Sequence, residues 1–549
     1  MKNSKKTKLP IGVSNFKDII EKNYYYFDKT KFIENILEDG SQVKLFTRPR
    51  RFGKTLNMSM LKYFFDVKNK DENRKLFEGL NISKSEYFGM QGNFPVISVS
   101  FKKYQEKDWK NGFDMIKDII SGLYDEFEFV KEKLSTRKKK KFDSILMEEA
   151  NLANWKNSLA DLSNYLYDFY GKKVIVLIDE YDQPIINSYI ERYYDETIDF
   201  FKSLYGAVLK DNEYLEMGVM TGIIRVIKAG IFSDLNNLNV YSILENEYSE
   251  FFGFNQDEVE ETLEYFDVKY ELFDVKAWYD GYKFGDSDVY NPWSILKFLK
   301  SKKIGSHWID TSGNFLINQI LKNTDSEIME TLEALFNGET VEENISGNSD
   351  LSSLLGQEEI WELLLFSGYL TIDEKIGEDY EDVYSLRLPN REVREFFRKK
   401  FIDVNFGESM FRKAMEGLKN LKFDIFQKYL QNILLKSTSF MDTKNEDFYH
   451  GLVLGMMFYL DNHYYVKSNK ESGLGRYDVV IEPKNKNNRG FILEFKVVKN
   501  EDDLEKVSEE AIEQIIEKKY DVGLKDRGVK DVTFVGVAFC GKIVKVTYR

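Results

Sequence analysis

The residues best suited to chemistry in the first part of the sequence lie in the stretch RPRRFGKT at 48–55. Gly53, Lys54 and Thr55 match the last three positions of G-x-x-x-x-G-K-[ST], a phosphate-binding loop. Arg48 stands where the first glycine of that motif is expected. In such a loop the glycine lets the backbone approach a phosphate, the lysine reaches the β- and γ-phosphates, and the threonine holds Mg²⁺. The motif therefore predicts nucleotide binding with magnesium.

A pair of acids further along the chain supplies the second half of such a site. In VIVLIDEYD (174–182) an apolar run ends in Asp179 and Glu180. An aspartate at a strand end suits Mg²⁺ coordination, and the following glutamate suits orientation of an attacking water. An acid pair after a strand can also cap a helix, and alone it favours that structural role. Combined with the loop, the pair favours an ATP site in which Asp179 is a magnesium ligand and Glu180 a catalytic residue.

Two acids and a lysine near the C-terminus form a second candidate site. In RYDVVIEP and RGFILEFKV, Asp478 lies on one predicted strand, and Glu494 and Lys496 lie on one face of the next. Two carboxylates on adjacent strands can share a divalent metal, and a lysine beside them can position water and stabilise a phosphorane. This is the D…E-x-K arrangement of metal-dependent nucleases. E-x-K alone is weak evidence, because Glu517 and Lys519 form another in a predicted helix.

Strand-like and helix-like segments alternate over residues 1–245, which predicts an α/β domain with a parallel sheet. Short apolar runs that suit strands buried on both faces lie at 43–47, 94–101, 173–180 and 214–222. The loop at 48–55 follows the first of these runs, and a helix follows the loop. Strand, loop and helix are thus predicted in the order that a phosphate-binding loop needs.

The rest of the chain divides into two further regions. Residues 246–405 are mostly helical, with Pro292 near the first turn of one helix, and they predict a helical or winged-helix-like module. Residues 406–549 predict a last α/β domain. Its expected elements are a helix at 445–460, strands at 463–468, 476–482 and 490–498, a helix at 501–520, and strands at 531–540 and 542–548. The predicted fold class is therefore multidomain α/β.

The composition excludes several other classes of protein. Hydrophobic residues make up 42% of the chain and aromatic residues 15%, which excludes global disorder. One cysteine permits no internal disulfide, and three scattered histidines give no zinc cluster. No apolar run approaches the roughly 20 residues that span a bilayer, and no signal segment follows the basic N-terminus, so we expect a soluble, cytoplasmic protein without membrane contact. The net charge of −14 argues against indiscriminate coating of nucleic acid but leaves room for a local basic groove.

Several separated motifs resemble those of bacterial AAA-ATPase-like P-loop proteins, which often carry a C-terminal PD-(D/E)XK nuclease-like domain. The motifs are YFDKTKFI (26–33), RPRRFGKT, VIVLIDEYDQPI (174–185), TGIIRVIKAGIFSDLNNL (221–238), WYDGY and YNPWSIL. They occur in the family's order over nearly the whole chain, and in that family a loop without the first glycine is usual. The resemblance implies an AAA-like ATP-binding core at 1–245, helical elements at 246–405 and a restriction-endonuclease-like domain at 406–549.

Further residues join the candidate nucleotide site. We expect the loop residues Arg51, Phe52 and Leu56 to contact the nucleotide together with Gly53, Lys54 and Thr55. The resemblance places Thr221, at the end of the strand after the acid pair, like the polar sensor that reports the γ-phosphate. The resemblance also allows Arg225 to be a second residue that senses the γ-phosphate or an arginine finger, although a lone arginine after a strand is more often structural.

The resemblance also adds two positions to the C-terminal site. Glu446, opening the helix EDFYHGLVLGMM, matches the acidic residue on the first helix of the nuclease fold. It joins Asp478 and Glu494 as an expected metal ligand. Gln514, in AIEQIIEKKY, matches the polar residue of the helix after E-x-K.

The three arginines of the loop allow two interpretations. Arg48, Arg50 and Arg51 can supplement Lys54 on the phosphates, or they can pair with acids such as Asp28 or Asp182 and shape the loop. The second, structural interpretation is favoured from sequence.

Two functional hypotheses follow from these sites. The favoured one is an ATP-controlled nuclease, in which the nucleotide state changes how a magnesium-dependent C-terminal domain meets nucleic acid, with DNA favoured over RNA. The alternative is a non-catalytic ATP-dependent switch whose nuclease-like domain only binds. Both hypotheses are compatible with a homo-oligomer.

Overall fold

The structure of the chain is a computed structural model. It describes residues 7–225, 237–307, 338–345, 360–377, 382–397, 408–436, 463–468 and 475–549, with the short pieces 328, 331–332, 334–335, 347, 460 and 471–472. By compactness the chain falls into two units, Met1–Trp308 with Glu342–Glu392 and Ile309–Val341 with Val393–Arg549. The domain boundaries expected near residues 245 and 405 stay predictions. Among the described helices, none combines the length and hydropathy needed to cross a bilayer.

The first unit is built on a five-stranded sheet in which every neighbouring pair of strands is parallel. The strands, in the order β2–β3–β4–β1–β5, are β1 Val43–Thr47, β2 Val96–Ser100, β3 Val174–Asp179, β4 Leu215–Gly222 and β5 Leu238–Tyr241. Every residue of β1 and β3 is buried, as is typical of parallel strands covered on both faces. The apolar runs predict four of these strands correctly and miss β5, a four-residue strand at the sheet edge without an apolar run.

The order of the strands matters for the site, because β4 lies between β1 and β3. The carboxyl ends of all three therefore meet at one edge of the sheet, where ligands of open α/β sheets bind. The RPRRFGKT loop follows β1, Asp179 ends β3, and Thr221 lies at the end of β4. Three segments that are far apart in the sequence are brought together by this topology alone.

Helices connect the strands and cover the sheet. The helix α8, Ser158–Tyr170, for example, buries Leu159, Leu162 and Leu166 along one face and ends at Gly171, whose φ of 64° is left-handed and suits glycine. The helices of this part are α1 Phe16–Glu21, α2 Lys31–Glu38, α3 Lys54–Phe65, α4 Lys70–Lys75, α5 Trp109–Glu126, α6 Thr136–Leu146, α7 Leu152–Lys156, α8 Ser158–Tyr170, α9 Gln183–Glu191 and α10 Tyr194–Leu209.

A mostly helical segment follows in the same unit, which confirms the predicted helical character of the middle region. The side chain of Asn291 accepts hydrogen bonds from the first turn of the next helix, and Pro292 opens that helix as predicted. The elements are α11 Gln256–Tyr265, α12 Leu272–Tyr279, the hairpin β6 Tyr282–Phe284 and β7 Ser287–Val289, α13 Pro292–Ser301, α14 Ile360–Phe366, and a small sheet in the order β8–β10–β9, formed by β8 Val341–Asn344, β9 Thr371–Lys375 and β10 Val383–Arg387.

The second unit contains a mixed five-stranded sheet in the order β11–β14–β15–β16–β17. Its elements are α15 Glu408–Lys419, α16 Phe423–Lys436, β11 Tyr464–Ser468, β12 Glu471–Ser472, β13 Gly475–Arg476, β14 Val479–Pro483, β15 Gly490–Val497, α17 Leu504–Glu517, α18 Val522–Asp526, β16 Val532–Cys540 and β17 Ile543–Tyr548. β15 and β16 are parallel and the other pairs antiparallel. The predicted strands agree with this sheet to within about three residues. The helix predicted at 445–460 lies, except for residue 460, outside the described residues.

Candidate functional site

The loop between β1 and α3 has the geometry that an anion site requires. Gly53 has a φ of 84°, a left-handed conformation that lets the chain turn sharply into α3 at Lys54. A Cβ at Gly53 would meet no atom within 4 Å, so the space in front of this turn is open. In the described structure no side chain caps α3, and the positive end of its dipole faces that space. This arrangement fits a phosphate group.

Lys54 lies under the loop and holds it in shape. The side chain is buried, and Nζ donates hydrogen bonds to the carbonyl oxygens of Arg48, at 2.9 Å, and Pro49, at 3.1 Å. The same Nζ is 3.8 Å from Oε1 of Glu180. A buried ammonium held by two carbonyls and one carboxylate is positioned beside the open turn without being neutralised by a close ion pair. Lys54 and Glu180 therefore meet, as the ATP-site hypothesis requires.

Asp179 is the centre of a hydroxyl network that joins three strands and the loop. Its side chain is buried, Oδ2 accepts hydrogen bonds from Thr55 Oγ1 at 3.0 Å and Ser100 Oγ at 3.1 Å, and Oδ1 accepts one from Thr221 Oγ1 at 2.7 Å. Burial raises the pKa of Asp179, as does the nearby charge of Glu180, while the hydroxyl donors oppose the rise. Oxygen atoms are the ligands that Mg²⁺ prefers, so this set fits that ion.

Ser100 is a member of this network that the sequence motifs do not reveal. It is the last residue of β2 and lies directly opposite Asp179 in the parallel register. A serine at the carboxyl end of a strand that neighbours the acid-bearing strand is a signal that could have identified it. The signal becomes readable only once the strand order is known, because 73 residues separate the end of β2 at Ser100 from the start of β3 at Val174.

Tyr181 and Asp182, which follow the acid pair, hold the end of β4 at the candidate site through hydrogen bonds, and we call these two residues the clamp. Asp182 is fully buried, and its Oδ2 accepts hydrogen bonds from the backbone N–H groups of Ile223, at 2.6 Å, and Ile224, at 3.1 Å. Tyr181 donates its hydroxyl to the carbonyl of Ile224 at 2.7 Å. Burial and the charge of Glu180 together raise the pKa of Asp182 to about 6. This clamp fixes Thr221, two residues earlier, against Asp179.

Two backbone features show how tight this clamp is. A Cβ at Gly222 would lie 2.6 Å from Tyr181 and 2.9 Å from Asp182, so only glycine fits between Thr221 and the clamp. Glu180 has a φ of 55°, a left-handed conformation that costs a non-glycine residue about 1 kcal/mol or more. Its backbone N–H points at Thr221 Oγ1, at 3.4 Å. The strained peptide is therefore held by the same threonine that contacts Asp179.

Arg48 and Arg51, two of the three loop arginines, have structural partners in this structure. Arg48 is fully buried, and its Nη1 donates to the carbonyls of Thr47 and Tyr241, while its guanidinium lies over the rings of Phe252 and Phe284. Burial lowers the pKa of Arg48 to about 9. Arg51 stacks on Trp293, with 3.8 Å between its guanidinium carbon and the ring centre.

The acids proposed as arginine partners have other hydrogen bonds. Asp28 accepts from the backbone and hydroxyl of Thr30 and from the N–H of Asn81, and Asp182 accepts from Ile223 and Ile224. Arg48 and Arg51 thus shape the loop through carbonyl oxygens and aromatic faces, and the carboxylates whose charge acts on them are Glu245 and Glu392 rather than Asp28 and Asp182.

The remaining residues expected at the nucleotide site occupy three distinct positions. Phe52 is buried against Tyr282 and Phe284, with ring centres 4.9 and 5.0 Å away, so its side chain anchors the loop. Leu56 is half-buried in the first turn of α3. Arg225 lines a cavity of about 230 Å³ that Thr47 and Glu245 also line.

In the second unit, Asp478, Glu494 and Lys496 come together as predicted. Asp478 lies directly before β14 rather than within it, and its Oδ2 accepts the backbone N–H of Phe495 at 2.7 Å. This bond fixes the aspartate against β15 beside Glu494. Lys496 Nζ is 3.5 Å from Glu494 Oε1, and Gln514 on α17 donates its side-chain amide to the same oxygen. All four side chains therefore meet at one place on the sheet.

The electrostatics of this group fit a divalent cation. Glu494 is only 2% exposed, and burial, followed by the charge of Asp478, raises its pKa to about 8 although Lys496 opposes the rise. Within the described part of this unit, Glu494 Oε2 is buried and accepts no hydrogen bond. An unsatisfied carboxylate oxygen beside a second carboxylate is what a metal ion would satisfy. The described residues hold no cluster of three or more His, Cys, Asp or Glu ligands, and Glu446, the expected third acid, lies outside them.

Comparison with known proteins agrees with this geometry. An uncharacterized protein from the vnfD 5' region of Azotobacter chroococcum mcd 1 is 28% identical over 396 residues, which cover 70% of this chain and 68% of the relative. Residues 10–232 match a family described as "Predicted AAA-ATPase", and residues 444–548 match the PD-(D/E)XK nuclease superfamily. The chain therefore combines an AAA-ATPase-like domain with a C-terminal domain of the PD-(D/E)XK nuclease superfamily, as the motifs indicated.

Proposed function

We propose that the N-terminal domain binds and hydrolyses ATP with Mg²⁺. The observation that carries this proposal is the Asp179 network, in which Thr55 from the loop and Thr221 from β4 both donate to one buried carboxylate. Lys54 binds the β- and γ-phosphates, Thr55 and Asp179 hold the ion, and Glu180 orients the attacking water. A bound magnesium ion neutralises phosphate charge in such sites. The open turn at Gly53 supports the same assignment.

We propose further that the C-terminal domain cleaves nucleic acid, and that the ATP site controls it. Asp478 and Glu494 are the proposed metal ligands, and Lys496 is the proposed group that orients water and stabilises charge on the phosphorus. The unsatisfied Glu494 Oε2 supports this role, because an apolar or hydrogen-bonded substitute would serve a purely structural site better. Glu446 remains a proposed third ligand.

The decisive experiment uses the full chain with magnesium, with and without ATP, on duplex, single-stranded and branched nucleic acids. Lys54→Ala should abolish ATP hydrolysis, and Lys62→Ala, in the same helix, should leave it unchanged. Glu494→Ala should abolish cleavage, and Glu517→Ala, in the exposed second E-x-K, should not. Cleavage that persists in Asp478→Ala would refute the nuclease assignment. ATP binding without any cleavage would instead favour the non-catalytic switch.

A further inference from the structure

The loop RPRRFGKT is held from outside the sheet by the helical segment from α11 to β10 of the same unit. Pro49 lies so close to Gly368 that a Cβ there would come within 2.9 Å of the Cβ of the proline. Phe52 packs on β6, and Arg51 stacks on Trp293 in the first turn of α13. Because packed side chains leave little free space, this segment must adjust when the loop moves.

Arg51 is a strained residue within this loop. Its φ of 71° is left-handed, a conformation that is unfavourable for a residue with a Cβ. Its guanidinium carbon lies 3.8 Å from the ring centre of Trp293, and its Nη1 is buried without a hydrogen-bond partner among the described residues. Burial lowers the pKa of Arg51 to about 10, and the charge of Glu392 opposes that fall. Contact with the ring and attraction to this carboxylate thus offset the strain.

The two residues that act on Arg51 also hold a single backbone position, His307. Trp293 Nε1 donates a hydrogen bond to the carbonyl oxygen of His307 at 2.9 Å, and the side chain of Glu392 accepts one from the backbone N–H of His307. Ser294, next to Trp293 in α13, donates its hydroxyl to Glu392 at 2.5 Å. Glu392 is only 1% exposed, so these bonds lie in the interior of the unit. Both polar backbone groups of His307 are therefore held by neighbours of the loop arginine.

His307 and Glu392 lie where the chain leaves the first unit. That unit consists of the stretches Met1–Trp308 and Glu342–Glu392, so the chain passes into the second unit after Trp308 and again after Glu392. The second of these passages leads into the stretch Val393–Arg549, which carries the candidate nuclease site. The hydrogen bond from His307 to Glu392 joins the two passages directly. One hydrogen-bonded group therefore contacts the phosphate loop and fixes both passages.

We propose that Trp293, Ser294 and Glu392, which we call the link, carry the nucleotide state of the loop to the two passages into the second unit. They are positioning residues that act through Arg51 and the backbone of His307. The strained backbone of Arg51, two residues before Gly53, is the element with two states that a bound phosphate would bias. This inference rests on the proposed control of the nuclease by ATP and names its route. A purely structural anchor would explain the bonds to His307 but would not require a strained loop arginine on the same indole.

The test uses Trp293→Phe in the full chain, since phenylalanine keeps a ring for Arg51 but lacks the N–H that holds His307. Ser294→Ala is the second variant, because it removes one donor of the buried carboxylate and leaves the indole in place. Trp278→Phe, the same change on α12, is the control. Hydrogen exchange of the backbone is measured with Mg²⁺, with and without a slowly hydrolysed ATP analogue. ATP hydrolysis and the ratio of cleavage rates with and without ATP are measured on the same proteins.

We expect nucleotide to act on His307 in the wild type and not in the link variants. The analogue should slow exchange of the His307 amide about 5-fold or more, and ATP should change the cleavage rate about 5-fold or more. In Trp293→Phe and Ser294→Ala both ratios should fall below about 2, while ATP hydrolysis stays within about 3-fold of the wild type. Loss of the ratios at nearly constant hydrolysis separates a link from general damage to the ATP site.

The outcomes separate the link from the two activities. Ratios in both link variants equal to those of the wild type would overturn the link and leave the ATPase and the nuclease standing. Wild-type protein that does not cut, but whose His307 exchange responds to the analogue and loses this response in Trp293→Phe, would support the link and refute the nuclease. Wild-type protein that binds no nucleotide would overturn the link together with the ATP site. An equal loss in Trp278→Phe would also overturn the link, because loosened helix packing would then explain the effect.

Discussion

The two candidate sites bury a carboxylate in opposite ways. Asp179 is 4% exposed and receives three hydroxyl hydrogen bonds, so both of its oxygens have donors. Glu494 is 2% exposed, but in the described structure only its Oε1 has donors, and its neighbour is a second acid. Burial raises the pKa of both acids, but both oxygens of the first have hydrogen-bond donors before any ligand arrives, whereas one oxygen of the second has none within the described residues.

The difference indicates how each site is maintained. Hydroxyl donors oppose the rise that burial causes in the pKa of Asp179 and fix the segments around it, so neutral groups pre-assemble the surroundings of this carboxylate. Near neutral pH the folded protein must either protonate Glu494 or carry its desolvated charge, a cost that a bound cation would relieve and a common compromise between stability and function. Substitutions at the first site should therefore lower the free energy of unfolding, whereas neutralisation of Glu494 at the second site should raise it.

The largest effect is expected from Gly222→Ala, which places a methyl group against Tyr181 and Asp182, the residues that hold the end of β4 beside Asp179. The added methyl would lie 2.6 Å from Tyr181 and 2.9 Å from Asp182, both fully buried, so one strand must shift. We expect a loss of about 3 kcal/mol in unfolding free energy, the upper end for overpacking, and a loss of ATP hydrolysis above about 100-fold. Gly122→Ala is the control, because its Cβ meets nothing within 4 Å in α5. A stable, active Gly222→Ala protein would show that the network is not rigid.

The comparison itself is tested by a matched pair of acid-to-amide changes, Asp179→Asn and Glu494→Gln. Asp179→Asn turns one acceptor oxygen into a donor, so at least one of the three hydroxyl groups loses its acceptor; this outweighs the relief of a buried acid whose pKa is raised, and we expect a net loss of about 1–2 kcal/mol. Glu494→Gln keeps an acceptor for Gln514 and removes a carboxyl whose pKa is raised to about 8, which near neutral pH must take up a proton or carry a desolvated charge when the chain folds; we therefore expect a gain of about 1–2 kcal/mol at neutral pH together with loss of cleavage. Chemical denaturation in chelator measures both. The same sign for both variants would contradict the comparison.

A smaller effect is expected from Ser100→Ala, which removes one of the three donors to Asp179. Thr55 still donates to the same Oδ2, so the oxygen keeps a partner and the loss should be about 1 kcal/mol. ATP hydrolysis should fall no more than about 10-fold, since the loop and Glu180 are unchanged. Ser203→Ala, on the exposed face of α10, serves as the control. Unchanged stability and hydrolysis in Ser100→Ala would remove this serine from the site.

The smallest effect concerns Glu482, an acid in the same sheet as Glu494 but with a lowered pKa. It forms ion pairs with Lys467, Lys486 and Arg527. A depressed pKa adds stability above the unfolded value near 4.3, and this stability is lost as the pH falls through the folded value. Glu482→Gln should therefore cost below about 1 kcal/mol at pH 7, because its partners are partly exposed, and less at pH 4. Denaturation curves at both pH values measure the difference. A cost that grows as the pH falls would contradict the ion-pair assignment.

Local patterns of the sequence predict much of this molecule. Apolar runs identify β1, β3 and β4, and G-K-T between a strand and a helix identifies the loop, because both signals depend on neighbouring residues. Ser100 and the contacts of Asp182 depend instead on strand order and register, which local patterns do not contain. The partners of Arg48 are carbonyls and rings contributed by distant segments. Charge complementarity, the natural guess for an arginine, does not reveal such contacts.

The stacking of Arg51 on Trp293 gives the loop an optical signal of its own. Indole emission responds to a cation 3.8 Å from the ring, and Arg51 lies two residues before Gly53. Any rearrangement of the loop when a nucleotide binds should therefore change the intrinsic fluorescence without a label. Trp293→Phe would identify the source among the six tryptophans, since it should remove the change while the other five still emit.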